Sequence, residues 1–464
     1  MASYLLVLLL LCILGQSFGQ SQLKLVTVLY RHGDRSPVKA FPTDPHQESA
    51  WPQGFGQLTQ EGMRQHLELG QFLRRRYQGF LSEPYTRYEI AVRSTDYDRT
   101  LMSAESNLAG LYPPNGSQVF HPGLNWQPIP IHTVPQDQER LLSFPLSNCA
   151  YYQRLMNETE KTELFINMTK TYADFLEMVR NKTGVESTTI ASIWSIHDTL
   201  FCEEKHGMTL PDWVTPDVMS TLQFLKNFGF QIMFGVHKRV EKSRLQGGLL
   251  LDQIIKNFTT VSSLKPNGQL KMIMYSAHDT TIVALHEALN VFNGLQPPYA
   301  SCHIMELHQD SNGSFSVEIF YRNDSSVAEP YPLTIPGCAH HCSLEEFIKL
   351  TQSVIPTDWD KECMMNTGST DTGAGEEAEI FQWRNPLGTR DSHVKRAWLR
   401  QIEQEGRVSI RGESLKQLRC CDCILSQCSA DVLPRRSARI FRQCSAYHHL
   451  YLRSSSTHHQ CCAD

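Results

Sequence analysis

Residues 23–37 read Leu23-Lys24-Leu25-Val26-Thr27-Val28-Leu29-Tyr30-Arg31-His32-Gly33-Asp34-Arg35-Ser36-Pro37. The first eight form an apolar, β-branched run that predicts a buried strand of an α/β sheet. The next seven change character at once. A histidine flanked by two arginines, just beyond a strand end, is poor core material. It suits a site that holds a dianion and attacks it. Forked guanidiniums bind spread negative charge bidentately, and a neutral imidazole is a nucleophile.

Two further strand-and-loop units follow the same plan. The short strand Tyr88-Glu89-Ile90-Ala91-Val92 is followed by Arg93 and Arg99, and the apolar run 270–275 by His278-Asp279. In an open parallel sheet the carboxyl ends of the strands share one edge, and ligands bind there. The topology therefore predicts that Arg31, His32, Arg35, Arg99, His278 and Asp279 meet in one cleft. Asp279 suits protonation of a leaving oxygen, provided it keeps its proton through a raised pKa or a low working pH. Plainer readings make Asp279 the cap of a helix from Thr280 and Arg99 a partner of Asp96 in the first turn of its helix. Asp34 and Ser36 have no evident role.

The rest of the chain frames these motifs. A helix is expected from Thr59 as N-cap to Tyr77, and another over 98–111, capped by Thr95 or Asp96 and ended by Pro113-Pro114. Helical patterns fill 153–179 and 216–242. A helix over 243–258, the strand at 270–275 and a helix over 280–292 return to α/β alternation. Strands 302–307 and 315–321 flank a turn at Asp310-Ser311-Asn312-Gly313. The organisation read from this is an α/β body over 21–130 and 240–370, a smaller, mostly helical insert over 131–239, and a divergent basic tail over 371–464.

Composition bounds the setting. The apolar run Leu5 to Leu14, followed by small and polar residues, makes 1–20 a secretory signal, although Met1 to Tyr4 holds no Lys or Arg. Residues 21–374 carry 29 Lys+Arg against 38 Asp+Glu, and 375–464 carry 14 against 10. An acidic body argues against a nucleic-acid partner, so any anion site is a local basic pocket. No apolar run of eighteen follows residue 20, so no transmembrane anchor is expected.

Of fourteen cysteines, Cys12 lies in the signal and seven lie in the last 45 residues. The six body cysteines, Cys149, Cys202, Cys302, Cys338, Cys342 and Cys363, suggest three disulfides with fifteen possible pairings. Neither the body nor the tail pairs His448-His449 and His458-His459 offers paired metal-ligand spacing. Sequons at Asn115, Asn157, Asn167, Asn181, Asn257, Asn312 and Asn323 favour a glycoprotein.

Arg31-His32-Gly33-x-Arg35-x-Pro37 with a distant His278-Asp279 resembles the histidine acid phosphatase family. Trp51-Pro52-Gln53-Gly54-Phe55-Gly56-Gln57-Leu58-Thr59, Arg93-Ser94-Thr95-Asp96, Ser243-Arg244-Leu245-Gln246-Gly247-Gly248 and Tyr275-Ser276-Ala277-His278-Asp279-Thr280-Thr281 extend the resemblance over about residues 23–370. It implies a phosphoglycerate-mutase-like mixed sheet flanked by helices, with a helical second domain. It implies hydrolysis of small phosphate monoesters at low pH through a phosphohistidine, with no metal or cofactor. His32 would be the nucleophile, Arg31, Arg35, Arg99 and His278 the phosphate ligands, and Asp279 the proton donor. The implied disulfides are Cys149–Cys363, Cys202–Cys302 and Cys338–Cys342. Homodimers and a lysosomal or secreted destination follow from the same resemblance. The rival readings are a phytase-like or inositol-phosphate phosphatase, which the acidic body disfavours, and a catalytically impaired binding glycoprotein, for which the unusual tail speaks.

Overall fold

The computed structural model describes residues 21–364 apart from 146–147, 264–269, 325–326 and 328. The signal segment 1–20 and the tail 371–464 lie outside the described residues.

In chain order the elements are β1 (Gln22–Arg31), α1 (Gln60–Arg76), β2 (Ile90–Ser94), α2 (Asp98–Leu111), α3 (Ala150–Glu160), α4 (Glu163–Thr171), α5 (Ala173–Thr183), α6 (Trp194–Lys205), α7 (Pro216–Phe234), α8 (Arg239–Leu245) and α9 (Gly247–Ser263). Then come β3 (Met272–Ala277), α10 (Asp279–Ala288), β4 (Cys302–Gln309), β5 (Phe315–Arg322), β6 (Tyr331–Leu333), β7 (Cys342–Ser343), α11 (Leu344–Thr351) and α12 (Trp359–Met364). The sheet order is β2-β3-β1-β4-β5-β6, with β7 pairing β5. β1, β2 and β3 run parallel, and β4 and β5 add antiparallel pairs. The expected mixed sheet flanked by helices is thus the architecture.

Strand alternation divides the core in two. Leu25, Leu29, Ile273, Tyr275, Met305 and Leu307 face one side and pack with α9, α10 and α11. Val26, Val28, Tyr30, Met272, Met274, Cys302 and Ile304 face the other and pack with α1 and α2. Period-two side-chain direction forces this split once both faces are covered. A third apolar cluster is built from α5, α6 and α7 around Val179, Ile193, Leu200, Leu222 and Leu225.

Helix boundaries show what periodicity misses. Thr59 caps α1 as expected, its hydroxyl accepting from the Gly62 amide. The cap of α2 is Tyr97 rather than Thr95 or Asp96. Thr95 Oγ1 is engaged with Thr100 and His278 instead. The pattern over 153–179 is three helices, and the one over 216–242 is two. The second break lies at His237 and Lys238, both left-handed. It is held by Lys242, whose buried Nζ donates to the Ile232 and Val236 carbonyls at 2.6 and 2.7 Å. The Ile232 carbonyl lies in the last turn of α7, where a helix leaves acceptors unpaired, and the Val236 carbonyl lies just beyond it.

The disulfides depart from expectation in one pair. Cys149–Cys363 and Cys338–Cys342 are formed. Cys202 and Cys302 are free buried thiols. Cys302 opens β4 and points to the α1/α2 face of the sheet. Cys202 sits on α6, with Sγ 3.6 Å from the Tyr299 hydroxyl and 3.9 Å from Arg35 Nη1. The two side chains serve different environments, so the expected Cys202–Cys302 bridge is corrected to two thiols. Of the sequons, Asn115, Asn157, Asn167, Asn181 and Asn312 are exposed, and Asn257 and Asn323 are half-buried.

Candidate active site

The three parallel strands deliver their following residues to one edge. The His32 amide donates to the Ala277 carbonyl at 3.0 Å, and the Thr95 amide donates to the Ser276 carbonyl at 3.1 Å. These bonds stitch the loops after β1, β2 and β3 side by side. His32 and His278 stand with ring centres 5.8 Å apart. Tyr299 lies 5.8 Å from His32 and carries the Arg31 guanidinium over its face at 4.2 Å. Gly33 is required by close approach, since a Cβ there would meet the Gly62 carbonyl oxygen of α1 at 2.4 Å.

His32 is almost wholly buried, and its Nδ1 lies 2.8 Å from the Gly33 carbonyl oxygen. A carbonyl only accepts, so Nδ1 carries the proton. Nε2 is left with its lone pair. Burial, then the Arg99, Arg31 and Arg35 charges, push the imidazole well below its usual pKa. The ring therefore stays neutral in mild acid. His278 is pushed down to about 3 by burial and Arg99, and its Nε2 lies 3.0 Å from Thr95 Oγ1.

The arginines are held differently. Arg31 donates to the Pro297 carbonyl at 2.8 Å and pairs with Asp279 at 3.1 Å. Arg35 makes a two-pronged pair with Asp198, Nη1 to Oδ2 at 3.0 Å and Nη2 to Oδ1 at 2.9 Å. Arg99 stacks over Tyr97 at 4.7 Å, and burial with the nearby Arg35 charge brings it down to about 10. The Nε donors of Arg31, Arg35 and Arg99 are all buried without a partner among the described residues. Three guanidiniums against two carboxylates leave the cleft positive, and orphaned buried donors cost free energy until an acceptor arrives. Arg93, which the structure places within β2, pairs with Glu139.

Of the two conditions set for an acid role of Asp279, the raised pKa is not the one the cleft meets. Burial alone would raise its carboxyl, but Arg31 and the Gln296 amide, which donates at 2.6 Å, hold it below the usual aspartate range. Its Oδ1 also accepts from the Thr280 amide at 2.7 Å, but the cap of α10 is His278, and Asp279 is the first residue of the helix rather than its cap.

Helix α6 is the contribution that sequence reading missed. It supplies Asp198 to Arg35, Cys202 to the Arg35–Tyr299 contact, and Lys205 with the following His206 to Asp34. Asp34 is fully buried and also accepts from the Thr59 hydroxyl at 2.6 Å. Ser36 donates to the Gly54 carbonyl at 2.7 Å and accepts from the Gln57 amide. Asp34 thus ties the motif loop to α6 and to the cap of α1, and Ser36 ties it to the loop that precedes α1. A separate concavity of about 430 Å³, lined by Tyr151, Arg244, Leu245 and Glu362 among others, shares none of the cleft residues.

Residues 22–322 match the family model of the histidine phosphatase superfamily, branch 2. The chain belongs to this family. It is 58% identical over 350 residues to a protein named lysosomal acid phosphatase from Rattus norvegicus, covering 75% of this chain and 82% of that one. It is 51% identical over 365 residues to prostatic acid phosphatase of the same species, covering 78% and 95%. Together these relationships make the chain a phosphoric monoester hydrolase of the histidine acid phosphatase type. Among solved structures it is similar to a Hafnia alvei phytase bound to tartrate, with TM-score 0.57, 19% identity and coverage of 74% and 99%. At that identity the likeness speaks for the fold alone.

Proposed function

We propose that this histidine phosphatase hydrolyses small phosphate monoesters in acid by double displacement on His32. The carrying observation is a neutral imidazole whose Nδ1 is bonded and whose Nε2 lone pair is left for attack, set among three guanidiniums that have only two carboxylates to answer them. Arg31, Arg35, Arg99 and His278 surround the transferring group, where positioning and charge stabilisation supply most of the catalysis. Nε2 bonds to phosphorus as the ester P–O bond breaks, and the leaving oxygen takes a proton from Asp279. Water then attacks phosphorus, Asp279 takes back a proton, the P–N bond breaks, and neutral His32 and inorganic phosphate result.

The proton on Asp279 comes with the substrate. A phosphate ester has its second pKa near ~6, so it enters an acid site carrying one proton. Its negative charge also competes for Arg31 and lifts the aspartate toward protonation. Working pH and mechanism are thereby linked. The test is partitioning: with an added alcohol, a common phosphoenzyme divides between alcohol and water in one ratio for every leaving group. A ratio that follows the leaving group would sink the covalent route.

The setting proposed is the lumen of the lysosome or the extracellular space. It is supported by the signal-like residues 1–20, two formed disulfides, five exposed sequons and relatives named lysosomal. No helix among the described residues is long and apolar enough to cross a membrane. Exposed Tyr88, Phe120, Leu124 and Trp126 support a homodimer, checked by light scattering. The described body is read as the α/β part over 21–130 and 240–364 with the helices of 131–239 packed beside it.

A further inference from the structure

At the far end of the sheet from His32 lies a second cluster of titratable side chains. Tyr30 pairs with Cys302 near the cleft, whereas Leu23 pairs with His308, about 23 Å away at 3.3 Å per residue. Glu306 and His308 are two apart on β4 and share a face. Glu318 on β5 stands directly opposite Glu306. Two carboxylates facing each other across antiparallel strands repel unless a cation lies between them.

The cations at hand are few. Arg76 and the Tyr77 hydroxyl, from the end of α1, take Glu306 Oε1 at 2.9 and 2.8 Å, and Arg76 also reaches Glu329 at 3.3 Å. Glu306 Oε2 is left facing His308 Nε2 at 3.1 Å. Glu318 Oε2 lies 4.0 Å from His308 Nε2 and 3.8 Å from His340 Nε2. Its other oxygen lies 2.7 Å from His341 Nδ1, and His341 Nε2 lies 2.9 Å from Asp310. The Cys338–Cys342 disulfide closes a short loop that presents His340 and His341 over this face.

We propose that Glu306, His308 and Glu318 form a site for a zinc-like divalent ion, separate from the phosphoryl cleft, with His340, 3.8 Å from Glu318, as the side chain that swings in to complete it. One ligand atom each from Glu306, His308 and Glu318 lies within 4.8 Å of the others. Ligands about 2.0–2.1 Å from a tetrahedral ion sit ~3.4 Å apart. The separations of 3.1, 4.0 and 3.8 Å bracket that value. Two imidazoles and two carboxylates suit zinc better than calcium or magnesium, which prefer oxygen alone. Glu318 and the Glu306 Oε2 oxygen that Arg76 leaves open supply the negative charge that faces the ion. His341 holds Glu318 from outside through its Nδ1, as hydrogen-bond partners behind metal ligands do.

Chelator-stripped full-length protein is titrated with Zn2+ at neutral pH, followed by calorimetry and by competition with a chromogenic chelator. His308→Asn with His340→Ala is run beside it, and His340→Ala alone serves if the double variant folds poorly. The expected result is loss of one zinc equivalent in the double variant, with phosphatase activity at the native level. For His340→Ala alone a tenfold or greater weakening is expected. Affinity for that equivalent falls as pH drops below the imidazole range, because protons then occupy the ligands. Zinc bound by the tail or by the cleft histidines would survive both substitutions. An unchanged number of equivalents, or no zinc bound, overturns the proposal and leaves the cluster as a set of histidine–carboxylate contacts.

Discussion

His32 works through what its other nitrogen does. The Gly33 carbonyl fixes the proton on Nδ1, so no neighbouring base is needed to prepare Nε2. His32→Ala is expected to lower kcat by at least ~10³-fold with the fold intact, measured on an aryl phosphate; near-native turnover would remove His32 from the chemistry. Asp279→Asn should slow alkyl phosphates far more than aryl phosphates, because only poor leaving groups need a proton. Equal losses for both classes would argue against an acid role. Much of this residue set is legible in the sequence, because Arg31, His32 and Arg35 are neighbours and His278-Asp279 ends a recognisable strand. Asp198 is not legible. Its partner Arg35 is 163 positions away, and nothing in the local pattern around it differs from an ordinary helix position.

At the scale of elements, α6 decides how firmly Arg35 is held. Asp198 orients that guanidinium with two bonds, so it is a positioning residue whose loss should raise KM for phosphate esters more than it lowers kcat. Asp198→Ala is expected to raise KM about tenfold, and Asp198→Glu to recover part of it. A change confined to thermal stability would reduce α6 to scaffold. The Cys149–Cys363 bridge ties α3 to α12, the last described helix. Cys149→Ser with Cys363→Ser should cost ~2–5 kcal/mol in denaturant unfolding, far more than the small loop closed by Cys338–Cys342. Strands and the helices beside them are readable because burial on both faces leaves continuous apolar runs. The breaks within 153–179 and 216–242 are not, since they depend on tertiary partners such as the Lys242 ammonium. The free state of Cys202 and Cys302 is equally invisible, because an even cysteine count says nothing about which face of a strand each thiol occupies.

The whole molecule carries an unusual load of buried, uncharged histidine. Burial pushes His66, His197, His278 and His286 down to about 3, and His32 and His303 well below their usual value. Between pH ~6.5 and ~3 the unfolded chain takes up protons that the folded chain refuses, so stability falls on acidification. Each such histidine contributes up to ~1.4 kcal/mol per pH unit. Glu203 on α6 runs the other way. Burial and the facing Asp44 raise its carboxyl to about 9, so its contribution is lost as pH rises above ~4.5. The melting temperature is expected to drop from pH 7 to pH 4.5, and inorganic phosphate to restore part of it by charging His278. A flat or rising profile would contradict the neutral-histidine picture. Glu203→Gln should stabilise the protein near neutrality and lose that advantage toward pH 4, the reverse of a histidine substitution. None of this balance can be read from a formal charge of −5, because it depends on which of nineteen histidines are buried.

The sheet order has a consequence for biosynthesis. β1 is the central strand, with β3 and β4 on its two sides. Val26 is made about 246 residues before its partner Met272. At ~5–20 residues per second, the central strand of the sheet waits on the order of tens of seconds for an edge to join. During that interval Leu25 to Tyr30 is an unpaired hydrophobic segment emerging into a crowded compartment. The chain is therefore expected to need chaperone cover early in translation. Truncations that stop before β3 should aggregate rather than accumulate as soluble folding units.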